Sequence, residues 1–563
     1  KMDGGTADIT VTAANTAYGG SFRLKTNGIT FTGIEGSGHG TLFTYTNNLD
    51  ETYASSYATF KLVGGHTIDI TGTTINYSGA ALSPAVSTTN SYRKWLFHTD
   101  GHNNRGESIW KLNGTTKVNI SGDYLTMYTS QYHSGTTQNA NIGFVNNATI
   151  TEQGTSNIIW VGLTEGSNGS QGINRLQYFH NNTNGKLTMA GTGSTLAYIM
   201  IPTLSNISNN DEGGFAYQND GEITMSGANQ NGLIIAGSGD SNAGYYNKSE
   251  IRLVKPITIA GTNSNAIVFN VWADLDGGTT QFNRSSADNK DDGLGKTLEA
   301  TSRESIINVN ITGNNNRALY FNDTKTATTK TFTVNSYALN STDAKNNILA
   351  YINKGTVTFG TTNVNAKNEM NISGGKDNIA LYSSSPNTVT TAADITITNS
   401  DSSTGIFAKR GTGTPTPPAG TITNSGKINV SGKSVKAIIA DAGTTVTSTG
   451  KITVNGTALS DTDGAVGLAA MNGATLSQTN TDTSITVDGS ASIGIYANGK
   501  VNTSSATATA LNMTGGTITA KGGAFNTYAA NSGTITLNGV TLNTEQKSLA
   551  FYTTDNGKID FGT

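Results

Sequence analysis

One short phrase recurs along this chain, and its recurrence limits the folds that the chain can adopt. The phrase alternates apolar and polar residues over four or five positions and ends at Gly, as in KINVSG at 427–432 and SITVDG at 484–489. A polar hinge follows, and then a short apolar run near Ala, as in AIIA at 437–440 and GIYA at 494–497. Recurrence of one phrase along most of a chain is typical of a repeat architecture.

The alternation inside the phrase predicts β-strands. A period of two places apolar residues on one face and Thr, Asn or Ser on the other. We expect the closing Gly to supply a positive φ for a tight bend. A sustained 3.6-residue apolar stripe, which would indicate a helix, is not found. Other copies of the phrase begin at residues 67, 117, 222, 256, 308 and 451. The sequence therefore predicts an all-β chain.

The spacing of the copies separates the possible all-β folds. Ile395, Ile428, Ile452, Ile485 and Ile518 open successive copies and lie, by subtraction, 33, 24, 33 and 33 residues apart. A sandwich or barrel closes after about seven to ten strands and would not repeat one phrase so often. Stacked coils repeat it, because each coil presents the same face to the next. We predict a right-handed parallel β-helix, in which each coil of roughly 20 to 30 residues adds about 4.8 Å.

The regularity of the repeat differs between the two halves of the chain. Residues 1–305 predict coils with long decorating loops and form the candidate binding region, whereas residues 306–563 predict a more regular, stalk-like β-helix. All six His residues precede residue 181 and all four Trp residues precede residue 273, so we expect them on the loops. Long loops on a rigid scaffold are frequent binding positions. The strand-like ends of the chain predict one continuous solenoid cut from a longer one.

Composition narrows the class of protein further. Charged residues make up 13% of the chain and the net charge is −3, which provides no basic surface for nucleic acid or an anionic membrane. No apolar run approaches the length of a membrane-spanning helix. Cys is absent from all 563 residues. A protein that simply contains little Cys could also lack it altogether. Its absence from a chain of this length favours a secreted protein that crosses a pore unfolded.

These features resemble a known family. A Cys-free β-helix rich in Gly, Asn, Thr and Ser, with phrases such as those at 424–430 and 494–497, resembles the secreted passenger domain of a type V autotransporter. The style of the repeats is similar to that of the very large fusobacterial outer-membrane adhesins. The resemblance implies a monomer displayed on the bacterial surface through a C-terminal membrane barrel outside this sequence. It also implies adhesion to glycan or protein receptors on host cells or to other bacteria.

One segment before residue 106 combines the groups that sugar recognition requires. Pyranose rings stack on aromatic faces, and planar polar groups bind their hydroxyls. The candidate ligand residues are Tyr92, Arg93, Trp95, His98, Asp100, His102 and Arg105. An alternative remains open for Trp95 and Phe97, since both occupy the second-strand position of their coil and would then be core residues.

A second segment has the chemistry of a calcium loop. Its carboxylates lie on turn-prone backbone, which suits the oxygen shell of calcium. The candidate ligands are Asp274, Asp276, Asp288, Asp292 and Glu299. Counting from Asp288 reproduces part of an EF-hand spacing, but Lys290 takes the place of the third ligand and no flanking helices are evident. A solvated polar loop is the alternative, and no other cofactor is predicted.

Enzymatic functions have less support in the sequence. Polysaccharide lyases and hydrolases on β-helices place carboxylates on adjacent coils, whereas the outward positions here hold mostly Thr, Asn and Ser. The GDSNA stretch at 239–243 has Asn242 where a trypsin-like serine protease has Gly. We therefore predict an adhesin that is not an enzyme. A polysaccharide-cleaving β-helix and a purely structural stalk remain the alternatives.

Overall fold

The fold was examined in a computed structural model. It describes residues 1–13, 20–31, 51–53, 58–63, 67–81, 95–100, 108–132, 142–164, 176–202, 214–238, 248–271, 305–323, 331–360, 367–384, 387–411, 419–499 and 508–562. Every regular element in these ranges is a β-strand, and the strands are numbered β1 to β51 along the chain. They form two compact units. The N-terminal unit is Lys1–Asn308 with Asp323–Thr328, and the C-terminal unit is Val309–Asn322 with Thr329–Thr563.

The N-terminal unit contains three sheets, which successive strands enter in turn. The first sheet comprises β1 (Met2–Asp3), β4 (Thr30–Phe31), β7 (Thr67–Thr71), β10 (Ser108–Asn113), β13 (Ile142–Asn146), β16 (Leu176–Asn181), β19 (Gly214–Asn219) and β22 (Lys248–Leu253). The second comprises β2 (Thr6–Ala13), β3 (Gly20–Asn27), β5 (Glu51–Tyr53), β8 (Thr74–Gly79), β11 (Lys117–Ile120), β14 (Thr149–Glu152), β17 (Lys186–Met189), β20 (Glu222–Met225) and β23 (Ile257–Ile259). The third comprises β6 (Ala58–Val63), β9 (Trp95–Asp100), β12 (Thr126–Tyr132), β15 (Ile158–Thr164), β18 (Thr195–Pro202), β21 (Asn231–Ser238) and β24 (Asn265–Phe269).

The C-terminal unit repeats this plan, and the boundary between the units falls within β25 (Ile307–Ile311). Its first sheet comprises β27 (Thr331–Val334), β30 (Thr356–Phe359), β33 (Thr388–Thr391), β36 (Thr421–Asn424), β39 (Thr445–Ser448), β42 (Thr475–Gln478), β45 (Ala510–Thr514), β48 (Thr534–Asn538) and β51 (Lys558–Phe561). Its second comprises β28 (Tyr337–Thr342), β31 (Asn368–Ser373), β34 (Asp394–Asp401), β37 (Ile428–Lys433), β40 (Ile452–Thr457), β43 (Ser484–Asp488), β46 (Thr517–Lys521) and β49 (Thr541–Thr544). Its third comprises β26 (Arg317–Asn322), β29 (Ile348–Lys354), β32 (Ile379–Ser384), β35 (Thr404–Lys409), β38 (Lys436–Asp441), β41 (Val466–Met471), β44 (Ile493–Asn498), β47 (Phe525–Ala530) and β50 (Leu549–Thr553).

Each strand pairs in parallel with the strand one coil away, as the predicted parallel β-helix requires. Three consecutive strands make one coil, for example β37, β38 and β39, and their partners in the next coil are β40, β41 and β42. Antiparallel pairing occurs near the N-terminus, where β2 and β3 form a hairpin. The predicted fold class is confirmed.

The apolar positions of the repeat point into the coils. Ile395, Ile428 and Ile452 stack in register in the second sheet, and all three are fully buried. The next step differs from the simple phrase alignment, because Ile485 pairs with Val454 rather than with Ile452. A shift of two residues keeps each side chain on its original face, so the interior remains continuous.

The Gly that closes the phrase has two structural roles, of which the sequence predicted one. Gly72 and Gly489 adopt positive φ values of 65° and 97°, as expected. Gly191 and Gly227 do not, so a positive φ was the wrong expectation there. At these positions a Cβ would overlap the carbonyl oxygen of the Gly one coil away, Gly154 and Gly191 respectively. These glycines allow the backbones of neighbouring coils to approach closely.

Polar ladders inside the coils replace apolar residues at defined places. The side-chain amide of Asn146 donates to Asn181 and that of Asn181 donates to Asn219, both at 2.8 Å. Asn219 then donates to the carbonyl oxygen of Lys255 at 2.9 Å. The three Asn side chains are fully buried. Their hydrogen bonds offset the free-energy cost of that burial and link consecutive coils.

Candidate functional site

The predicted ligand residues of the N-terminal unit are only partly within the described chain. Tyr92, Arg93, His102 and Arg105 lie outside the described residues, and of Asp100 only the backbone is described. The five predicted calcium ligands, Asp274, Asp276, Asp288, Asp292 and Glu299, also lie outside them. No group of three His, Cys, Asp or Glu side chains suited to a metal ion occurs in the ranges that are described.

Trp95, Phe97 and His98 do not form an accessible surface. Phe97 is fully buried and meets Trp110 at 5.0 Å between ring centroids. Trp95 and His98 are 1% and 3% exposed, and their ring centroids are 4.5 Å apart. The core alternative therefore holds for both Trp95 and Phe97, and the assignment of Trp95 and His98 to a sugar-facing surface is corrected by their burial.

The expected placement of Trp on loops is also wrong for Trp110 and Trp160. Trp110 and Trp160 lie on β10 and β15, and both are fully buried. The indole nitrogen of Trp110 donates to Thr99 Oγ1 at 3.1 Å, and that of Trp160 donates to Ser130 Oγ at 3.0 Å. These residues support the scaffold, because each large ring fills the interior and its N–H group is hydrogen-bonded.

The surface-facing aromatic residues lie in the third sheet of the C-terminal unit. At one position in each strand from β26 to β47, an outward side chain, which is buried only at Ala469, separates two buried residues, and Tyr552 continues the row in β50. Strand pairing places these side chains in a single row across nine strands, which we call the aromatic ladder: Tyr320, Tyr351, Tyr382, Phe407, Ile439, Ala469, Tyr496, Tyr528 and Tyr552. Seven of the nine side chains are aromatic.

Neighbouring rings of the aromatic ladder are in contact. Tyr351 lies 5.2 Å from Tyr320 and 4.9 Å from Tyr382, measured between ring centroids. Tyr382 lies 5.4 Å from Phe407 with the ring planes at 83°. After the small Ala469, a second group of rings continues from Tyr496 to Tyr552. Edge-to-face contacts of this kind favour a fixed ring arrangement, so the row presents both faces and edges of its rings.

A second row runs beside the aromatic ladder on the same face. It lies three positions earlier in each strand and consists of Arg317, Ile348, Ile379, Thr404, Lys436, Val466, Ile493, Phe525 and Leu549. Most of these side chains are apolar. The two rows together form an outward strip with aromatic rings on one side and chiefly aliphatic groups on the other.

Amide and hydroxyl groups border the other side of the aromatic ladder beside its first and last groups of rings, and Lys409 and Asp441 lie in the middle of this border. Asn353 donates to Asn322 Oδ1 at 2.8 Å, and Ser384 Oγ donates to Asn353 Oδ1 at 3.2 Å. In the second group of rings, Asn498 donates to the hydroxyl of Tyr496 at 2.7 Å and accepts from Asn531 at 2.9 Å. These groups supply donors and acceptors without net charge.

Three tyrosines of the ladder, Tyr320, Tyr382 and Tyr496, remain neutral at physiological pH. Burial raises the pKa of Tyr320, Tyr382 and Tyr496 above the usual value of 10.0. Their phenol groups therefore keep their protons and act as both donors and acceptors. The surface can stack against an apolar ring face and hydrogen-bond to hydroxyl groups at the edge of that ring.

A charged cluster lies in the first sheet of the N-terminal unit. His180 Nε2 lies 2.8 Å from Asp220 Oδ2, and Gln218 Nε2 donates to the same oxygen at 2.6 Å. Burial acts to raise the pKa of Asp220, but these hydrogen bonds and the electrostatic effect of His180 and Arg252 lower it overall. The carboxylate is therefore kept ionised, with one oxygen engaged by two neighbours.

Comparison with protein-family models, with curated proteins and with solved structures gives no match for this chain. Within the described ranges, no helix has the length and apolar character needed to cross a membrane. The strongest functional indication is therefore the aromatic ladder itself.

Proposed function

We propose that this chain is part of a bacterial surface adhesin of the autotransporter passenger type. In this proposal it is displayed outside the outer membrane and binds glycan or protein receptors on host cells or on other bacteria. The observation that carries the proposal is the aromatic ladder on the outer face of a β-helix. The resemblance of the repeats to autotransporter passengers gives the bacterial surface as its location.

Energetic considerations support a binding role for the ladder. An outward position of a β-helix needs only a polar or small side chain, such as the Thr and Asn at outward positions of the second sheet. Large rings repeated along one row leave apolar area in contact with water, and contiguous apolar areas on protein surfaces commonly mark interaction sites. The neutral amide border favours a ligand rich in hydroxyl groups.

The scaffold suits this role because it holds the rings in fixed positions. Each ring from Tyr351 to Tyr528 projects from a strand that is paired on both sides, and the residues next to it in sequence are buried. Leu381 and Ser383, which flank Tyr382, are both buried. A rigid surface loses little conformational entropy on binding.

The proposal can be tested by attachment of the purified protein to epithelial cells and to other bacteria. The test variant carries Tyr351→Thr and Tyr382→Thr, which remove two adjacent rings while keeping residues that favour strands. The control carries Thr396→Ala and Asn429→Ala, two paired outward positions of the second sheet.

We expect the test variant to attach several-fold less than the parent protein and the control to attach normally. Equal attachment by all three proteins would favour the structural stalk. Release of reducing sugar from mucin or polysaccharide by the parent protein would favour the polysaccharide-cleaving enzyme.

A further inference from the structure

We propose that Arg317, Tyr320 and Tyr351 form a subsite for a sugar that carries a carboxylate group. This inference deepens the proposed function and rests on it, since it names the class of ligand that the aromatic ladder binds. It depends on one arginine whose contacts differ from those of the rest of its row.

Arg317 occupies a position that the scaffold fills with apolar residues in the next two coils. It pairs in register with Ile348, which pairs with Ile379. Its guanidinium carbon lies 4.9 Å from the ring centroid of Tyr320 and 4.9 Å from that of Tyr351. The side chain is thus held against the first two rings of the ladder by cation–π contacts.

The charge of Arg317 is not neutralised by a neighbouring carboxylate. No described acidic group lies within ion-pair distance of it, and it donates no hydrogen bond to a described residue. Lys521, by contrast, is paired with Glu545 at 2.9 Å. When a ring contacts the face of a guanidinium, the N–H donors in the guanidinium plane stay available to a ligand. A carboxylate matches the geometry of that donor fork.

The surroundings of Arg317 favour a sugar as the carrier of the carboxylate. Tyr320 and Tyr351 offer ring surface for the apolar face of a pyranose. The chain of amides beside them runs from Ser384 through Asn353 to Asn322, whose amide nitrogen donates to no described residue. An acidic peptide would satisfy the arginine but would make little use of this neutral hydrogen-bonding border. Neutral sugars would use the border and leave the arginine unpaired.

The test measures binding of matched acidic and neutral sugars to the full chain by isothermal titration calorimetry. The probes are 3′-sialyllactose with lactose, and hyaluronan tetrasaccharide with chitotetraose. We expect at least one acidic probe to bind about tenfold or more tightly than its neutral partner, the range for a charge-assisted hydrogen-bonded pair. Equal affinity within both pairs, or no binding by either acidic probe, would overturn the inference.

Variants of Arg317 test whether this residue causes the preference for acidic sugars. Arg317→Gln is expected to remove the preference, and Arg317→Lys, which keeps the charge but loses the planar fork, to retain part of it. The control is Lys409→Gln, which removes one exposed positive charge from the same sheet three coils away. Thermal unfolding of each variant shows whether the fold is preserved. A preference that survives in a folded Arg317→Gln protein would overturn the inference.

Two further measurements separate this inference from the proposed function. Tighter binding of hexaglutamate than of either acidic sugar would replace the sugar with an acidic protein partner. Attachment of the parent protein to cells without any preference for acidic sugars would overturn the subsite and leave the adhesin proposal standing. Absence of attachment by the parent protein would overturn the adhesin proposal, and sugar binding would still decide the subsite.

Discussion

The rings of Tyr351 and Tyr382 meet edge to face, 4.9 Å apart between centroids and inclined at 72°, across two paired strands of the C-terminal unit. The contact joins residues 31 positions apart in sequence. It arises because both side chains occupy the same outward position in consecutive coils, and it extends to Tyr320 on one side and Phe407 on the other.

The first prediction compares an outward and an inward residue of one strand. Leu381→Ala should lower the free energy of unfolding by about 2–5 kcal/mol, because it opens a cavity in the fully buried interior. Tyr382→Ala should cost less, about 1–2 kcal/mol, because it removes edge contacts with two rings on the outer face. Urea unfolding of both variants measures the difference, and a larger loss for Tyr382→Ala would contradict the assigned orientation of the strand.

The second prediction concerns the buried carboxylate of Glu152. Asn157 and Ser194 donate to its Oε1 at 2.9 and 3.0 Å, and Gly191 N donates to Oε2 at 3.2 Å. Burial raises its pKa above the usual 4.5, although these hydrogen bonds oppose the shift. The folded protein therefore binds more protons than the unfolded chain as pH rises from about 4.5 toward the raised pKa.

Stability should consequently fall with rising pH across that window, and Glu152→Gln should remove this contribution. The measurement is the urea midpoint between pH 4 and 8 for the parent protein and the variant. Glu222→Gln, an exposed position in the same sheet, is the control and should keep the parental pH dependence. Parallel pH profiles for the parent protein and Glu152→Gln would refute the prediction.

The third prediction tests the close approach of backbones at Gly191. Gly191→Ala should lower the free energy of unfolding by about 1–3 kcal/mol, because its Cβ would overlap the carbonyl oxygen of Gly154 and the coils would have to separate. Gly360→Ala is the control, since the nearest atom to its Cβ is the end of the Asn335 side chain. Similar urea midpoints for the two variants would show that the coils separate without cost.

The fourth prediction compares two asparagine ladders. Asn181→Ala should cost about 2–4 kcal/mol, because it leaves the buried amides of Asn146 and Asn219 each without one partner. Asn340 belongs to a partly buried ladder, in which it donates to Asn310 and accepts from Asn371. Asn340→Ala should cost less, because water can replace the lost hydrogen bonds. Equal losses of unfolding free energy in the two variants would indicate that burial of the ladder does not determine the cost of the substitution.

The strands and their buried faces could be predicted from the sequence, whereas their register could not. Alternation identified Ile428, Ile452 and Ile485 as inward residues, and all three are buried. Alignment of the phrases places Ile485 opposite Ile452, whereas in the structure Ile485 pairs with Val454, two residues further along that strand. A shift of two conserves the pattern of buried and outward residues, so hydrophobicity alone does not distinguish the two registers.

The aromatic ladder could be predicted from the sequence only in part. Tyr320, Phe407 and Tyr496 stand at the same place in their apolar runs, and aligning those runs would have indicated one row. A short apolar run predicts buried residues throughout. Only the geometry of the strand shows that the third residue of each run faces outward. Trp95 and His98 show the opposite error, since loop-rich surroundings suggested exposure for side chains that are buried.

In the third-sheet strands that carry the aromatic ladder, the residues that fill the coil and the residues that face outward are different residues in neighbouring positions. Leu381 packs inside while Tyr382 faces out, and the same division holds at Leu319 and Tyr320. Substitutions in the outward row therefore have little effect on the interior. Natural variation can therefore change the chemistry of this outer surface, one coil at a time, without endangering the fold that carries it.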